Sequence, residues 1–341
     1  MRNHTCAGRL TARTAAVTFV LLGLLGFVAC APDGSPLVPL TPQSPASEVP
    51  ETSAPSYYLP QRGAWDLPPD APTGRISSTV GTVEIDGLGA FTFNPLEVET
   101  TRPDIFAAGH FSVFDIVAHL SKEDWFPIKY HYNAALDTHV IDELDGSADW
   151  WYRAHYDAGW PEISAFRMDM YPYRDGMTIR LSTQPDAYMG QLYDSFAQEL
   201  LRKSVNRGRV VIPEVRIGTV VHTNVPVSAH DMRTDILRPG TVTALDVLLS
   251  LADQKKIQRL KLTWYSTMGD ASPVDSYRVE QIDDGDGVYD LEASADAGGW
   301  VYETGSLEFS GFKGSHLQIP ADVRVIVSPE YMTWYWLGSG A

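Results

Sequence analysis

The sequence predicts an α+β fold of two tandem units, each a curled, mostly antiparallel sheet packed on one helix. The first observation behind this prediction is a repeat, because residues 103–117 align without a gap to residues 234–248. The aligned segments share four pairs of identical residues: Asp104/Asp235, Ile105/Ile236, Gly109/Gly240 and Asp115/Asp246. The second observation is that each copy contains alternating apolar and β-branched runs, which are typical of strands. The third is one short amphipathic stretch at helical spacing in each copy.

The composition allows two units to fold and narrows the range of partners. The chain has 341 residues, of which 44% are hydrophobic, enough for two domains of roughly 150 residues each. It carries 26 Lys and Arg against 43 Asp and Glu, a net charge of −17. A surface of this charge repels phosphate backbones and anionic lipids, so we expect no nucleic-acid partner.

Residues 1–29 predict a lipoprotein signal peptide. Three arginines and no acid precede an apolar run at residues 15–29, which is shorter than the roughly 20 residues a membrane-spanning helix needs. The following segment, FVAC at residues 27–30, resembles the bacterial lipobox. We therefore expect Cys30 to carry lipid, with palmitate among its acyl groups. The protein is then exported and anchored at the outer face of the cell membrane or cell envelope, and it meets the membrane only through this lipid. A signal peptide cleaved nearby and an uncleaved anchor are the alternatives.

Residues 30–74 predict a Pro-rich tether that follows the anchor. Eleven prolines fall within residues 31–74. Proline fixes φ and removes the backbone donors that a helix or sheet needs, so we expect an extended, semi-rigid spacer.

Two units follow the tether, at residues 75–184 and 207–341. Each unit has a helix, predicted at residues 112–121 and 243–253, with Ser112 and Thr243 as N-caps. Strands rich in Tyr, Trp and Val follow each helix, and two late apolar runs are also interpreted as strands: residues 166–171 and 323–328.

A connector helix is predicted between the units, at residues 185–206. Leu192, Phe196 and Leu200 recur there at helical spacing. The helix either packs on one unit or docks a partner.

Short motifs of the second unit resemble the transcobalamin C-terminal-like domain. They are TALD at 243–246, YRVEQI at 277–282 and GWVY at 299–302, and the first unit offers SVFD at 112–115 and WWY at 150–152. That family is a small β-grasp-like module of bacterial cell surfaces and vertebrate cobalamin carriers, and the resemblance covers roughly 220 residues. It implies two tandem β-grasp-like units that bind an extracellular ligand or partner, and it does not imply an enzyme.

The sequence differs from this family at two points that concern the ligand. The Asn-Gly turn of the family is replaced by ETG at residues 303–305. In the vertebrate carriers a separate helical domain covers the other face of cobalamin, and this sequence has no such domain. We expect no resident cofactor, with a corrinoid and calcium as minor alternatives.

Aromatic residues are the candidate ligand-binding groups. Exposed Trp and Tyr rings beside carboxylates suit recognition of a glycan or a peptide, because ring faces stack and acids accept hydrogen bonds. We select seven residues: Trp125, Tyr132, Trp151, Trp160, Trp300, Trp334 and Trp336. When the repeat is continued with a change of offset, Trp160 aligns within one residue of Trp300. The alternative is that most of these rings pack in the core.

An acidic turn is the candidate metal site. Asp284, Asp286, Asp290 and Glu292 surround two glycines, and carboxylate oxygens of this kind could hold Ca²⁺. The alternative is an acidic turn in solvent, because the EF-hand template fails at both ends. His131, His139 and His155 could also meet across neighbouring strands as a metal site.

The sequence therefore predicts a surface-anchored extracellular lipoprotein without catalytic activity. Its two domains would bind an extracellular small molecule, glycan or protein, and tandem weak sites on a tether would gain avidity. A structural or assembly protein of the cell envelope is the alternative, and a carbohydrate-active enzyme is the third interpretation.

Overall fold

The computed structural model describes residues 56–58, 76–155, 166–265, 275–283, 298–307 and 319–338. These residues belong to one compact unit that begins at Thr52. The described part of the chain is a mixed α/β structure of mostly strands, with three α-helices. This agrees with the predicted α+β class. None of the helices described is long and apolar enough to span a membrane.

The first half of the chain forms a four-stranded sheet, a helix and a hairpin. In chain order its elements are β1 (Ser56–Tyr58), β2 (Gly81–Ile85), β3 (Gly89–Phe93), α1 (Val113–Lys122), β4 (Ile128–Asn133), β5 (Thr138–Leu144), β6 (Trp150–His155) and β7 (Thr178–Thr183). The sheet has the order β3-β2-β7-β6, and its central pair β2–β7 is parallel. Strands β4 and β5 form the separate hairpin, and β1 belongs to a sheet of the second half.

The second half repeats this arrangement after a long helix. Its elements are α2 (Asp186–Val205), β8 (Val210–Ile217), β9 (Val220–Val227), α3 (Ala244–Asp253), β10 (Arg259–Tyr265), β11 (Ser276–Asp283), β12 (Gly299–Gly305) and β13 (Tyr331–Leu337). The sheet has the order β9-β8-β13-β12 with a parallel β8–β13 pair, and β10–β11 form the hairpin. Among the described strands, the halves differ in topology only in the pairing of β1 with the outer edge of β10.

The two predicted unit helices lie within one residue of their expected bounds. The N-terminus of each helix is fixed by the aspartate three residues after its N-cap residue. The Asp115 carboxylate accepts the backbone N–H and the hydroxyl of Ser112, both at 2.7 Å, and Asp246 accepts the same groups of Thr243 at 2.7 and 3.0 Å. These contacts explain why the aligned segments share the aspartate pair Asp115 and Asp246. The shared pair Gly109 and Gly240 is explained by positive φ, +81° and +88°, where a Cβ is strained.

Two predicted strands are absent. Residues 166–171 contain the 3₁₀ helix Met168–Met170, and residues 323–328 make only an isolated bridge from Val325 to Thr243. Both segments are buried, which explains their apolar composition. They cover the starts of the unit helices instead of joining a sheet, because Val113 N donates to Tyr171 O at 2.9 Å and Ala244 N to Arg324 O at 2.8 Å.

The structure also corrects the match of Trp160 with Trp300. Strand β6 corresponds to β12, because the Tyr152 hydroxyl donates to Phe166 O and the Tyr302 hydroxyl to Ile319 O, both at 2.7 Å. Trp300 therefore corresponds to Trp150, which lies two residues before Tyr152.

The halves join through equivalent segments. Phe106 and Leu237 occupy the same repeat position and form an antiparallel bridge with each other. Ala107 N donates to Ile236 O at 2.9 Å, and Arg238 N donates to Ile105 O at 2.8 Å. The hydrophobic core of the first half continues into the second through six buried residues: Ile236, Leu237, Ile319, Val323, Val325 and Val327. One core therefore contains side chains of both halves, and a second core lies within the second half.

Candidate functional site

Strand β4 carries an exposed aromatic surface. Tyr130 and Tyr132 are 38% and 48% exposed, and Trp125, in the turn before β4, is 55% exposed. They are the three aromatic side chains that the described residues expose. We call Trp125, Tyr130 and Tyr132 the aromatic edge. Exposed rings that cluster in this way are typical of a binding surface.

The strand period and the helix beneath place the two tyrosines. Because side chains alternate along a strand, Tyr130 and Tyr132 share one face. The Tyr130 ring lies edge-on to Phe114 of α1, with centroids 5.1 Å apart. The Tyr132 ring lies 5.2 Å from His139, which in turn stacks on Phe114. The rings are thus supported from below while their outer sides face solvent.

Charged side chains occupy the opposite face of β4. Lys129 pairs with Glu143 at 2.6 Å, and His131 Nδ1 lies 2.9 Å from Asp142. All four groups are partly or largely solvent-exposed, so each pair contributes little stability. One face of the strand is therefore aromatic and the other ionic.

A buried arginine cluster holds Tyr132 in place. Arg102 pairs with Asp104 at 2.8 Å, with Asp137 at 3.0 Å and with Asp169 at 3.1 Å, and its guanidinium lies 5.7 Å from the Tyr132 ring centroid. The Tyr132 hydroxyl donates to Asp137 at 2.7 Å. Burial and this hydrogen bond raise the pKa of Tyr132 to about 12. The tyrosine therefore stays neutral and oriented at physiological pH.

Asp169 is the fully buried member of this cluster. It accepts hydrogen bonds from the Thr138 hydroxyl at 2.7 Å and from the backbone N–H of His139 at 2.9 Å, and His139 Nδ1 lies 2.9 Å away. Burial opposes its ionisation, but the bonds to His139 and Arg102 outweigh burial and lower the pKa of Asp169. Its oxygens are occupied by these internal partners, which fix β5 and so the base of the aromatic edge.

The second half contains the same arginine cluster, but there the aromatic ring beside the arginine is buried. Arg233 pairs with Asp235 at 2.9 Å and with Asp322 at 2.7 Å, and it lies 5.0 Å from the Trp264 ring centroid. Trp264 pairs with Tyr277 across the hairpin as Tyr132 pairs with His139. Trp264 is only 4% exposed, compared with 48% for Tyr132. The ring that corresponds to Tyr132 is therefore covered in the second half.

Strand β1 accounts for the difference at the strand edge. It pairs with Lys261, Leu262 and Thr263 of β10. The corresponding residues of β4 are Lys129, Tyr130 and His131, since both hairpins carry the same bulge, after Lys129 and after Lys261. Among the described residues, β5 is the only strand paired with β4. No described strand thus fills the outer edge of β4, whereas β1 fills that of β10.

The structure separates the seven aromatic candidates. Trp125 and Tyr132 lie on the exposed surface, whereas Trp151, Trp300 and Trp334 are buried and offer no ring face to a surface ligand. Trp336 is half-buried and packs edge-on against Trp300, with centroids 5.8 Å apart. Trp160 and Cys30 lie outside the described residues, as do all four candidate calcium ligands: Asp284, Asp286, Asp290 and Glu292.

Sequence reasoning missed Arg102 and Arg233 and left Tyr130 out of the selected candidates. Tyr130 could have been found from its alternation with Tyr132 along one strand. Arg102 and Arg233 stand one residue before the start of the aligned segments, and both begin an Arg-x-Asp-Ile motif. The predicted histidine site does not form at His131 and His139, because each lies against a different carboxylate. Across the described ranges, no group of three or more His, Cys, Asp or Glu side chains could hold a metal ion.

Comparison with known proteins gives no match: no protein-family model, no curated protein and no solved structure matches the chain.

Proposed function

We propose that this protein is an exported surface lipoprotein that binds an extended segment of an extracellular partner protein along β4, without catalysis. The strand order of each half, with a parallel central pair and a helix after the first two strands, supports two β-grasp-like units like those of the transcobalamin C-terminal-like domain. The proposal places the open ligand site in the first unit.

The observation that carries the proposal is the filled edge of the second half. An edge strand presents a row of unpaired N–H and C=O groups, and an extended chain can add to it as a further strand. Strand β1 does this at β10, so the fold already accepts a strand at this position. The equivalent edge of β4 has the same bulge and register and is free among the described residues.

The side chains around β4 suit a peptide. Main-chain hydrogen bonds would supply affinity, and the rings of Tyr130 and Tyr132 would pack against alternate side chains of the added strand. Asp104 and Asp142 are exposed at this end of the molecule and favour basic groups on the partner. A glycan would use the rings alone, because it has no row of amide groups to pair with the strand.

The test is selection of peptides on the full chain from a displayed library of random 12-residue sequences. We expect enriched peptides to bind with dissociation constants on the order of 1 μM and to slow amide hydrogen exchange in Ile128–Asn133. Tyr130→Ala and Tyr132→Ala should each weaken binding about tenfold, a loss of roughly 1.4 kcal/mol.

Val221→Ala is the control, because Val221 is an exposed apolar residue on another edge strand, β9. It should leave peptide affinity unchanged. Binding of a glycan array that depends on Trp125 and Tyr132, with no peptide enriched, would contradict the peptide proposal.

An assembly function is the second candidate, and β1 supports it. The strand that fills β10 comes from this chain itself, so the same segment of a second copy could add to β4. A synthetic peptide of residues 52–62 should then bind the full chain at β4. The protein should also self-associate with concentration in sedimentation experiments, and Tyr130→Lys should keep it monomeric.

Lipid attachment is tested at Cys30. If the lipobox is used, Cys30→Ser should abolish incorporation of labelled palmitate and move the protein from the membrane fraction to the soluble fraction. Cys6→Ser is the matched control, since Cys6 lies in the segment that cleavage removes, and it should retain the label. Label that persists in Cys30→Ser would assign the anchor elsewhere.

A further inference from the structure

A cationic cavity lies between α2, the end of β12 and the segment 324–329. It is a small cavity that opens to solvent. Its charged lining residues are three arginines and one glutamate: Arg167, Arg202, Arg324 and Glu199. Such an excess of positive charge stands out in a chain whose net charge is −17.

Arg167 and Glu199 neutralise each other. The Arg167 guanidinium forms an ion pair with Glu199 through Nη1, donates from Nε to Leu136 O at 2.8 Å and from Nη2 to Phe196 O at 3.2 Å. Its donors are therefore occupied by the protein. The two other arginines supply the net charge of the cavity.

Arg324 is buried without an acid to pair with. The residue is 5% exposed, and its Nε has no hydrogen-bond acceptor in the described structure. Its guanidinium lies 4.6 Å from the ring centroid of Phe166, which is a much weaker partner than a carboxylate. A buried charge of this kind is costly unless an anion compensates it.

Arg202 also has a buried donor without an acceptor. Its Nε donates to Ser328 O at 2.8 Å, but Nη2 is buried without a partner. Burial outweighs the attraction of Glu199 and Glu330 and lowers the pKa of Arg202. The three hydroxyls of the cavity already donate to protein oxygens: Ser195 to Leu192 O, Thr304 to Tyr331 O and Ser306 to Glu330 Oε2.

We propose that this cavity binds a compact oxyanion of the phosphate class between Arg202 and Arg324. The free groups of the cavity are N–H donors on two cations, so the fitting ligand is a pure acceptor that carries about two negative charges. The opening to solvent admits either inorganic phosphate or a phosphate group on a larger molecule. The site shares no residue with the aromatic edge and stands independently of the peptide proposal.

The experiment measures binding of inorganic phosphate to the full chain by calorimetry and by the thermal unfolding midpoint, against chloride at equal ionic strength. We expect saturable binding and a rise in the midpoint with phosphate only. Arg324→Gln and Arg202→Gln should each weaken phosphate binding at least about tenfold. Arg216→Gln removes an exposed arginine outside the cavity and should leave binding unchanged.

A second variant separates a ligand site from a purely structural arginine. Arg324→Met keeps an apolar chain over Phe166 and removes the unpaired charge, so in anion-free buffer it should be at least as stable as the natural protein. It should also lose the response to phosphate. An equal midpoint rise with chloride, or an undiminished phosphate response in Arg324→Met, would overturn the proposal. A glucose phosphate that binds more tightly than inorganic phosphate would assign the site to a phosphorylated molecule.

Discussion

At the scale of single residues, Arg102 and Arg233 organise the two halves. Each makes a bidentate contact with the aspartate two residues later and reaches a buried aspartate far along the chain. The repeated Arg-x-Asp-Ile motif could be predicted from the sequence, because both members lie in one short segment. Their distant partners, Asp169 and Asp322, could not, because no local pattern links residues so far apart.

His230 provides a prediction of pH dependence at this scale. Burial opposes its protonation, but contacts of 2.9 Å with Asp246 and 3.3 Å with Asp253 outweigh burial and raise the pKa of His230. A raised pKa adds stability that is fully present below the ordinary value of about 6.5 and is lost as pH rises through the folded-state pKa. The stability advantage of the natural protein over His230→Gln should therefore shrink as pH rises.

Urea unfolding between about pH 5.5 and about pH 8.5 measures this difference. His222→Gln is the matched control of opposite sign, because burial lowers the pKa of His222. A lowered pKa destabilises the folded protein as pH falls. The stability of His222→Gln relative to the natural protein should therefore rise as pH falls. Parallel pH profiles for the natural protein and His230→Gln would contradict the assigned contacts.

At the scale of elements, substitutions at the two N-cap residues measure how much each cap stabilises the protein. Ser112 donates to Asp115 and accepts the Asp115 N–H at 3.2 Å, and Thr243 forms the equivalent capping box with Asp246. We expect Ser112→Ala and Thr243→Ala each to cost about 1 kcal/mol of unfolding free energy. Urea unfolding provides the measurement. Ser121→Ala, near the other end of α1, should stay within about 0.5 kcal/mol, and a loss no larger than this at either cap would refute the assigned capping boxes.

The hairpins show the limit of prediction at this scale. Alternation identifies β4 and β10 as strands, and their shared bulge comes from equivalent positions. The exposure of Tyr132 and the burial of Trp264 depend instead on packing around each hairpin, and the two strand edges differ by the pairing of β1 with β10. Residues 56–58 and 261–263 are too distant in sequence for a local pattern to connect them.

At the scale of the whole molecule, the shared core fixes the two halves relative to each other. The prediction of two equivalent tandem sites meets a difference at this scale, because Trp264, which corresponds to Tyr132, is buried. Phe106 stands at the centre of the contact and is buried. Phe106→Ala should cost about 3 to 5 kcal/mol of unfolding free energy, because it leaves a cavity in that core.

Urea unfolding followed by tryptophan fluorescence tests this cooperativity. Both halves contain buried tryptophans, such as Trp151 and Trp334, so the fluorescence follows the unfolding of both halves. The natural protein should unfold in one transition. Leu201→Ala, at an exposed position of α2, should change stability by less than about 0.5 kcal/mol. Two separate transitions in the natural protein would show that the halves are independent.

The sequence by itself determined the α+β class, the repeat and the unit helices with their caps. Each of these depends on local periodicity or on residues a few positions apart, which is where backbone preferences act. The tertiary structure decided which aromatic residues are exposed, that residues 166–171 and 323–328 are not strands, and that Arg202 and Arg324 line one cavity. These features depend on contacts between distant segments, because burial and pairing are properties of the packed chain and leave no signature within one segment.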